Sequence, residues 1–312
     1  MATGHLVVAG LGKAAGLAAR MARVPGIGLL AVETRRFPDG ECYARWLQSP
    51  GGARLWLVGQ FAPPDAGLLE ALIAADAARE QGAGFVGLVA PYLPYLRQDR
   101  QFKPGEAVSS RTVAAVLSRH FDGLVTVDPH LHRYKSLSEI YSIPSRVLHA
   151  VGPLAGWITA RTSNPVLIGP DSESRQWVSR VAALCKAPFT VMRKKRVSSV
   201  EVHSSGLRAA DVRGREAVVL DDIISSGHTM AGVVEAALHL GARKAFAVGV
   251  HGLFAPGARK LLKQAGAAAV VTCNTVPGPT AKVDVSELLA EAVLQDQARA
   301  ATGRRARAGC TT

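Results

Sequence analysis

The sequence is poor in cysteine, in acid and in long apolar runs, and each shortage excludes something. Four cysteines in 312 residues, Cys42, Cys185, Cys273 and Cys310, lie far apart, with no CxxC and no ligand-like spacing. A disulfide scaffold or a zinc module is not expected, and a reducing cytoplasm fits this usage. No uncharged apolar run approaches the roughly 20 residues of a membrane-spanning helix, so no membrane association is expected. The start, MATGHLVVAG, reads as a strand, without the basic region and long apolar stretch of a signal peptide. A GxxxxGK[ST] segment is absent, so any nucleotide site is built without a Walker-type loop. Acids number 24 against 37 lysines and arginines, a net charge of +13 with histidine neutral. Arg299, Arg304, Arg305 and Arg307 crowd into the last fourteen residues, and setting them aside still leaves +9. Such a balance favours anionic partners. With no DNA- or RNA-binding signature and no clustered aromatic platform, phosphates on small molecules explain the basicity better than nucleic acid does.

What is present is enough for folded domains. Hydrophobic residues make up 48% of the chain, which excludes disorder throughout, and the length suits two domains. Short runs rich in Val, Ile and Leu predict strands at 5–9, 27–32, 54–58, 85–90, 124–127, 166–168, 189–192, 217–220, 245–250 and 269–272. Helical patterns between them include 65–81, 111–119, 174–185 and 229–240. This alternation predicts an α/β fold with mostly parallel sheets covered by helices. Asp65 suits a helix start and Gly241 a helix end. A boundary is expected near 148–165, where VGPLAGWITARTSNP carries glycine, proline and an Asn-Pro step. The resulting domains are 1–148 and 149–295, and their shared rhythm suggests a duplication, although no repeat is visible residue by residue. The basic stretch 296–312 lacks periodicity and is expected to be a disordered tail.

The chemistry concentrates in the stretch AVVLDDIISSGHTM, residues 217–230. It begins as a buried strand and ends by opening a helix, with two acids at the strand's carboxyl end, where open α/β sheets bind ligands. Backbone N–H groups of the turn, with the hydroxyls of Ser225, Ser226 and Thr229, suit a phosphate. Asp221 and Asp222 would then accept hydrogen bonds from sugar hydroxyls. A plain capped helix is the competing reading of the turn taken alone. Other segments are chemically suggestive but individually ordinary. Arg193-Lys194-Lys195-Arg196 reads as a basic loop, Asp128-Pro-His130 as a strand end whose i, i+2 spacing projects two side chains to one side, and Arg97-Gln98-Asp99 as a loop of surface ion pairs.

Together these segments resemble a known family. VVLDDIISSGHTM resembles the phosphoribosyl-diphosphate binding motif of phosphoribosyltransferases and ribose-phosphate diphosphokinases. FPDGE (37–41), PYLPYLRQDRQFKPGE (91–106), VDPH (127–130), PD (170–171), RKKR (193–196) and VHGLF (250–254) resemble the diphosphokinases, in the same order, over about residues 5–293. The resemblance implies two tandem phosphoribosyltransferase-type (Rossmann-like) domains. The reaction it implies moves the β,γ-diphosphate of ATP onto the C1 hydroxyl of ribose 5-phosphate, giving 5-phosphoribosyl 1-diphosphate and AMP. It makes Lys194 and Arg196 the catalytic pair, and Arg97 and Gln98 contacts to ATP. Phe37, Asp39 and Glu41 hold adenine from a neighbouring subunit, hence a homo-oligomer with its ATP site at a subunit interface. Ribose 5-phosphate falls to Asp221, Asp222, Ser225, Ser226, Gly227, His228 and Thr229. His130 and Asp171, with Asp128, are the implied positions for Mg²⁺.

Three departures stand out. Ser225 occupies a position where many family members carry Asp, and His228 replaces a turn glycine, which would strain the chain if that residue needs a positive φ. The stretch LHRYKSLSEIYSIP after His130 lacks the family's QIQGFF-like run. Two alternatives stay beside the diphosphokinase reading. A phosphoribosyltransferase would need neither the ATP segments nor a second domain. A silent regulatory paralogue would be expected to lose the Lys and Arg that remain here.

Overall fold

The computed structural model describes residues 5–172, 174–196, 202–205 and 207–308. The chain divides into two compact units, residues 1–148 with 286–312, and residues 149–285.

In the first unit, strands β1 (Leu6–Gly10), β2 (Gly28–Leu29), β5 (Arg54–Val58), β6 (Phe85–Ala90), β7 (Gly123–Val127) and β8 (Ser145–Leu148) form one sheet. Its order is β2-β1-β5-β6-β7-β8, and every pairing is parallel. A separate antiparallel ribbon joins β3 (Val32–Arg36) to β4 (Cys42–Trp46). Helices α1 (Ala15–Met21), α2 (Pro64–Glu80) and α3 (Ser109–His120) belong to the same unit. The strands are buried apolar runs because both faces of the sheet are covered. Ala71, Ala74, Ala75 and Ala78 form a fully buried stripe at helical spacing, so small side chains let α2 lie close to the sheet. Gly87 in β6 is required by packing, since a Cβ there would stand 2.5 Å from the Trp56 ring.

The second unit repeats this plan. Its elements are α4 (Val151–Arg161), β9 (Pro165–Gly169), α5 (Arg175–Cys185), β10 (Phe189–Val191), β11 (Arg193–Arg196), β12 (Val202–Ser205), α6 (Ala209–Val212), β13 (Glu216–Ile224), α7 (His228–His239), β14 (Lys244–Gly252), α8 (Ala258–Gln264), β15 (Ala269–Cys273) and β16 (Ala281–Val283). The sheet order β10-β9-β13-β14-β15-β16 is again all parallel, with an antiparallel ribbon, β11–β12, set apart. Each strand corresponds to the one eight places earlier, so the shared rhythm is a repeat of topology. Gly241 follows α7 with φ +96°. Its N–H bonds Leu238 O at 3.0 Å and that of Ala242 bonds Ala237 O at 3.0 Å, which closes the helix.

Several expectations need correction. The stretch 151–161 is helix α4, because Gly152 and Pro153 fall in the first turn, where a missing N–H costs no helical bond. The second unit stops at Val285, and Ser286–Ala308 forms one helix, α9, that belongs with the first unit. That replaces both the expected limit at 295 and the expected tail as far as Ala308; residues 309–312, with Cys310, lie outside the described residues. An amphipathic start explains this, with Leu289, Ala290, Ala292 and Val293 buried and Asp296 paired to Arg54. The expected strand 27–32 divides into β2 and β3. Asp65 lies in the first turn of α2 without capping it, and its carboxylate accepts the Tyr95 hydroxyl instead. Among the described residues no helix is long and apolar enough to cross a membrane.

Because α9 seals the first unit, Leu289→Ala is expected to destabilise the protein by about 2–5 kcal/mol in urea unfolding. A change below about 0.5 kcal/mol would contradict that packing role.

Candidate functional site

In the second unit the candidate site stands at the carboxyl edge of the sheet. The register of β13 explains why it opens there. On one side β13 pairs with β14 as far as Ile224↔Gly252, while on the other its pairing with β9 stops at Val219↔Ile168. Asp221 and Asp222 therefore lie inside the strand, extended beyond the expected 217–220, yet beyond the reach of β9. Their carboxylates turn toward the chain: Asp221 Oδ1 accepts the Asp222 N–H at 3.0 Å, and Asp222 Oδ1 accepts the Ile223 N–H at 2.8 Å.

Asp171 follows β9 at the same edge. Its Oδ1 accepts the Ser174 N–H at 3.2 Å, and its carbonyl accepts the Ser174 hydroxyl at 2.6 Å, which fixes the turn into α5. Burial of the Asp221 carboxyl, and then the charges of Asp222 and Asp171, hold its pKa well above the ordinary carboxylate value. Three acids thus share one field without converging as a cage: among the described residues no group of three or more His, Cys, Asp or Glu side chains is arranged to hold a metal. Magnesium commonly leans on one or two carboxylates and completes its shell with water and substrate phosphate. Hard oxygen donors under mutual repulsion fit such an ion.

Beyond β13 the turn Ser225-Ser226-Gly227 leads directly into α7. Gly227 is the N-cap with φ +78°, the left-handed conformation that glycine adopts without a steric penalty. His228 is the exposed first residue of the helix and is not among the positive-φ residues, so its replacement of glycine carries no backbone strain. Ser226 and Thr229 are exposed, and Ser225 is partly so. No side-chain cap occupies the N-terminus of α7, leaving its first N–H groups facing an open polar turn. The loop after β14 braces this turn from behind. Ile224 O accepts N–H groups from Leu253 and Phe254 at 3.0 Å each, and Ser225 O accepts that of Ala255 at 3.1 Å.

Arg193-Lys194-Lys195-Arg196 is a strand rather than the expected loop, with Lys194 opposite Ser204 and Arg196 opposite Val202. The strand forms because its N–H and C=O groups find partners in β12. Residues 197–201 between the two strands lie outside the described residues.

In the first unit, Phe37, Asp39 and Glu41 occupy the tip of the β3–β4 ribbon, and all three are exposed. The Phe37 N–H bonds Glu41 O at 2.9 Å, Gly40 takes φ +95°, and Asp39 Oδ1 accepts the Glu41 N–H at 3.2 Å. The Arg35 guanidinium lies 4.8 Å from the Phe37 ring centroid and 4.0 Å from that of Tyr43. The two rings stand edge to face with centroids 5.8 Å apart, and the cation packs against both.

Asp128-Pro-His130 also differs from expectation. The strand ends at Val127, and Asp128 turns to φ +36°, so the alternation that would project both side chains together is broken. Asp128 is buried, whereas His130 is partly exposed, with its ring 3.8 Å from that of His132. Arg97 is exposed and Gln98 half-buried in the long connection between β6 and α3. Asp99 beside them is buried and ion-paired with Arg133. Arg133 was not singled out from the sequence, whereas of the bracing residues Leu253 and Phe254 lie in the VHGLF segment and only Ala255 lies outside it. Arg133 carried only the signal of lying in the divergent stretch after His130.

Comparison with known proteins follows this division. The pattern of the N-terminal domain of ribose phosphate pyrophosphokinase matches residues 6–120, and that of the phosphoribosyl transferase domain matches residues 136–287. The chain is 37% identical over 281 residues to the ribose-phosphate pyrophosphokinase of Methanopyrus kandleri, covering 89% of this chain and 94% of that one. The Pyrococcus furiosus protein of the same name is 34% identical over 81% of this chain and 89% of its own. Among solved structures, phosphoribosylpyrophosphate synthetase from Mycobacterium smegmatis superposes with a TM-score of 0.79 at 27% identity, covering 93% of this chain and 99% of that one. With two-domain coverage and identity above 30% along nearly the whole length, this chain belongs to the ribose-phosphate pyrophosphokinase family.

Proposed function

We propose that this protein transfers the diphosphoryl group of ATP to the C1 hydroxyl of ribose 5-phosphate, giving 5-phosphoribosyl 1-diphosphate and AMP. The observation that carries the reading is the polar turn at the end of β13, where two acids precede an uncapped helix N-terminus. An anionic group suits the N–H groups of α7 and the hydroxyls of Ser225, Ser226 and Thr229, with Gly227 and His228 completing the turn. Asp221 and Asp222 then accept hydrogen bonds from the sugar hydroxyls beside that phosphate. Family membership and the match along both domains support the same substrates.

In the transfer, the C1 oxygen forms a bond to the β-phosphorus, the bridge from Pβ to the α-phosphate breaks, and the C1 hydroxyl proton is released. Negative charge grows on oxygens already crowded with it, so fixed cations lower the barrier more than covalent chemistry would. Lys194 and Arg196 supply those cations. Arg97 takes a phosphate of ATP and Gln98 the nucleotide. Asp171 and His130, with Asp128, are the residues assigned to Mg²⁺, which when bound supplies positive charge to the phosphates. Phe37, Asp39 and Glu41 hold adenine for a neighbouring subunit in a homo-oligomer, a role that their exposure at a ribbon tip supports. A cytoplasmic location accords with these substrates.

Phosphorus NMR of the purified protein with Mg-ATP and ribose 5-phosphate, beside an ATP-only control, is the test. AMP appearing with a sugar diphosphate resonance is the expected result. ADP without a sugar diphosphate would replace the proposal with ordinary kinase or ATPase chemistry, and intact ATP with both ligands bound would favour a regulatory paralogue. Lys194→Ala is expected to lower kcat by about 10²–10³-fold with little change in ATP affinity. Full turnover in that variant would remove Lys194 from the mechanism.

The crowded acids generate a further prediction. Asp221 has a raised pKa in the folded chain, so the unfolded chain ionises first as pH rises, and the folded state loses stability through that window. Asp221→Asn does not titrate. The variant is expected to unfold at a higher temperature than the wild type at neutral pH, with the difference shrinking toward the ordinary carboxylate pKa. Equal melting temperatures at neutral pH would contradict the cost of an ionised Asp221 buried beside Asp222 and Asp171.

A further inference from the structure

The connection from β6 to α3 runs from Pro91 to Val108 without a helix or strand of its own, and it carries Arg97 and Gln98. A connection of this length holds a defined shape only if its own side chains or its neighbours tether it. Within the first unit two sets of tethers act on residues 98 and 99. One comes from the start of α3, where the Ser110 N–H donates to Gln98 O at 3.3 Å and the Ser109 hydroxyl donates to Gln98 Oε1 at 3.4 Å.

The other comes from the stretch after His130. Arg133 Nη1 donates to both carboxylate oxygens of Asp99, at 2.8 and 3.1 Å. The Tyr134 hydroxyl donates to Asp99 O at 3.3 Å and lies 3.0 Å from the Ser110 hydroxyl. With one hydrogen on each hydroxyl, Tyr134 donating to Asp99 leaves Ser110 to donate to Tyr134, so the chain of bonds is complete. The support is itself rigid. Leu137 and Tyr141 are buried in the core of the first unit, and Glu139 accepts the Lys135 N–H at 2.6 Å and that of Ser136 at 3.3 Å.

The pairing is asymmetric. The Asp99 side chain is 3% exposed, while Arg133 is 43% exposed. A carboxylate withdrawn that far from water needs its counter-ion, and removing the partner leaves an uncompensated buried charge. The chain's cheapest response is to rotate residue 99 outward, which swings its neighbours Arg97 and Gln98 away.

We infer that Arg133 and Tyr134 are positioning residues for nucleotide binding, acting through Asp99 to hold Arg97 and Gln98 in place. The inference rests on the reading of Arg97 and Gln98 as ATP contacts. Asp99 fixes the loop from inside, and the divergent stretch after His130 supplies its cation.

Steady-state kinetics and melting temperatures of the full-length wild type, Arg133→Ala, Asp99→Asn and the double variant test this. Arg133→Ala is expected to raise the KM for ATP about tenfold or more, with the KM for ribose 5-phosphate within about twofold. Asp99→Asn removes the charge that needs a partner, so adding it to Arg133→Ala is expected to recover much of the lost ATP affinity. Tyr134→Phe, which deletes one hydroxyl, is expected to raise the same KM about two- to fivefold and serves if Arg133→Ala does not fold. An unchanged ATP KM, an equal rise in both KM values, or no recovery in the double variant would overturn the inference. A wild type that makes no AMP would overturn the proposed function instead, and that outcome is read before any variant is compared.

Discussion

Burial of the Asp221 carboxyl, with the charges of Asp222 and Asp171 beside it, is the constraint on which the candidate site of the second unit depends. A folding chain gains nothing by withdrawing a carboxyl from water beside two other acids, and Asp221 responds by favouring its protonated form. The arrangement persists because each acid is held by its own surroundings: Asp171 by Ser174, and Asp221 and Asp222 by the N–H groups that follow them. The early end of β9 pairing then keeps the notch open beside β13. Holding acids together at a cost in stability is how a candidate binding site differs from a core.

Backbone conformation carries the same signature. Four residues other than glycine have positive φ among the described residues: Tyr95 at +66°, Asp128 at +36°, Lys186 at +50° and Phe254 at +41°. Lys186 ends a helix, where a left-handed residue is ordinary. The other three follow the carboxyl ends of β6, β7 and β14, the sheet edge that carries the candidate side chains in each unit. Such conformations persist only where surrounding bonds over-determine them. Those bonds are present: Val127 N to Pro91 O at 3.2 Å, Asp128 N to Leu148 O at 2.9 Å, and the paired donors on Ile224 O.

Sheet strands were legible in the sequence because burial on both faces leaves them as unbroken apolar runs; the expected limits 54–58 and 85–90 are those of β5 and β6. The ribbons were not legible. VETRR and RKKR carry no alternating apolar pattern in the sequence, so no periodicity marks them, and they become strands only through a partner segment. Helix α9 was half legible, since its apolar residues end near Val293 and the remainder is carried on as helix. At the site, the acid pair and the small polar turn could be read because they are adjacent in sequence. The field of Asp171 on Asp221 could not, because fifty residues separate them and only the sheet brings them to one edge. The Asp99–Arg133 pair was invisible for the same reason.

The duplicated topology shows why one scaffold yields two kinds of site. By strand order, the connection from β5 to α2 in the first unit corresponds to that from β13 to α7 in the second. The second unit places two acids, two serines and a glycine there. The first places Gly59, Gln60 and Phe61, and the Phe61 ring, 1% exposed, lies so near Gly59 that a Cβ on that glycine would be 2.2 Å away. Pro64 then opens α2, removing an N–H that the corresponding end of α7 keeps. A ring and a proline thus fill in the first unit the turn that the second leaves polar and open. The first unit's candidate polar residues lie instead on other connections at the same edge: the β6–α3 loop, tied down through Asp99, and the turn at Asp128. The repeat preserves the edge where ligands can be met, and which loop meets them is decided locally, by whether the turn is filled with carbon or left polar.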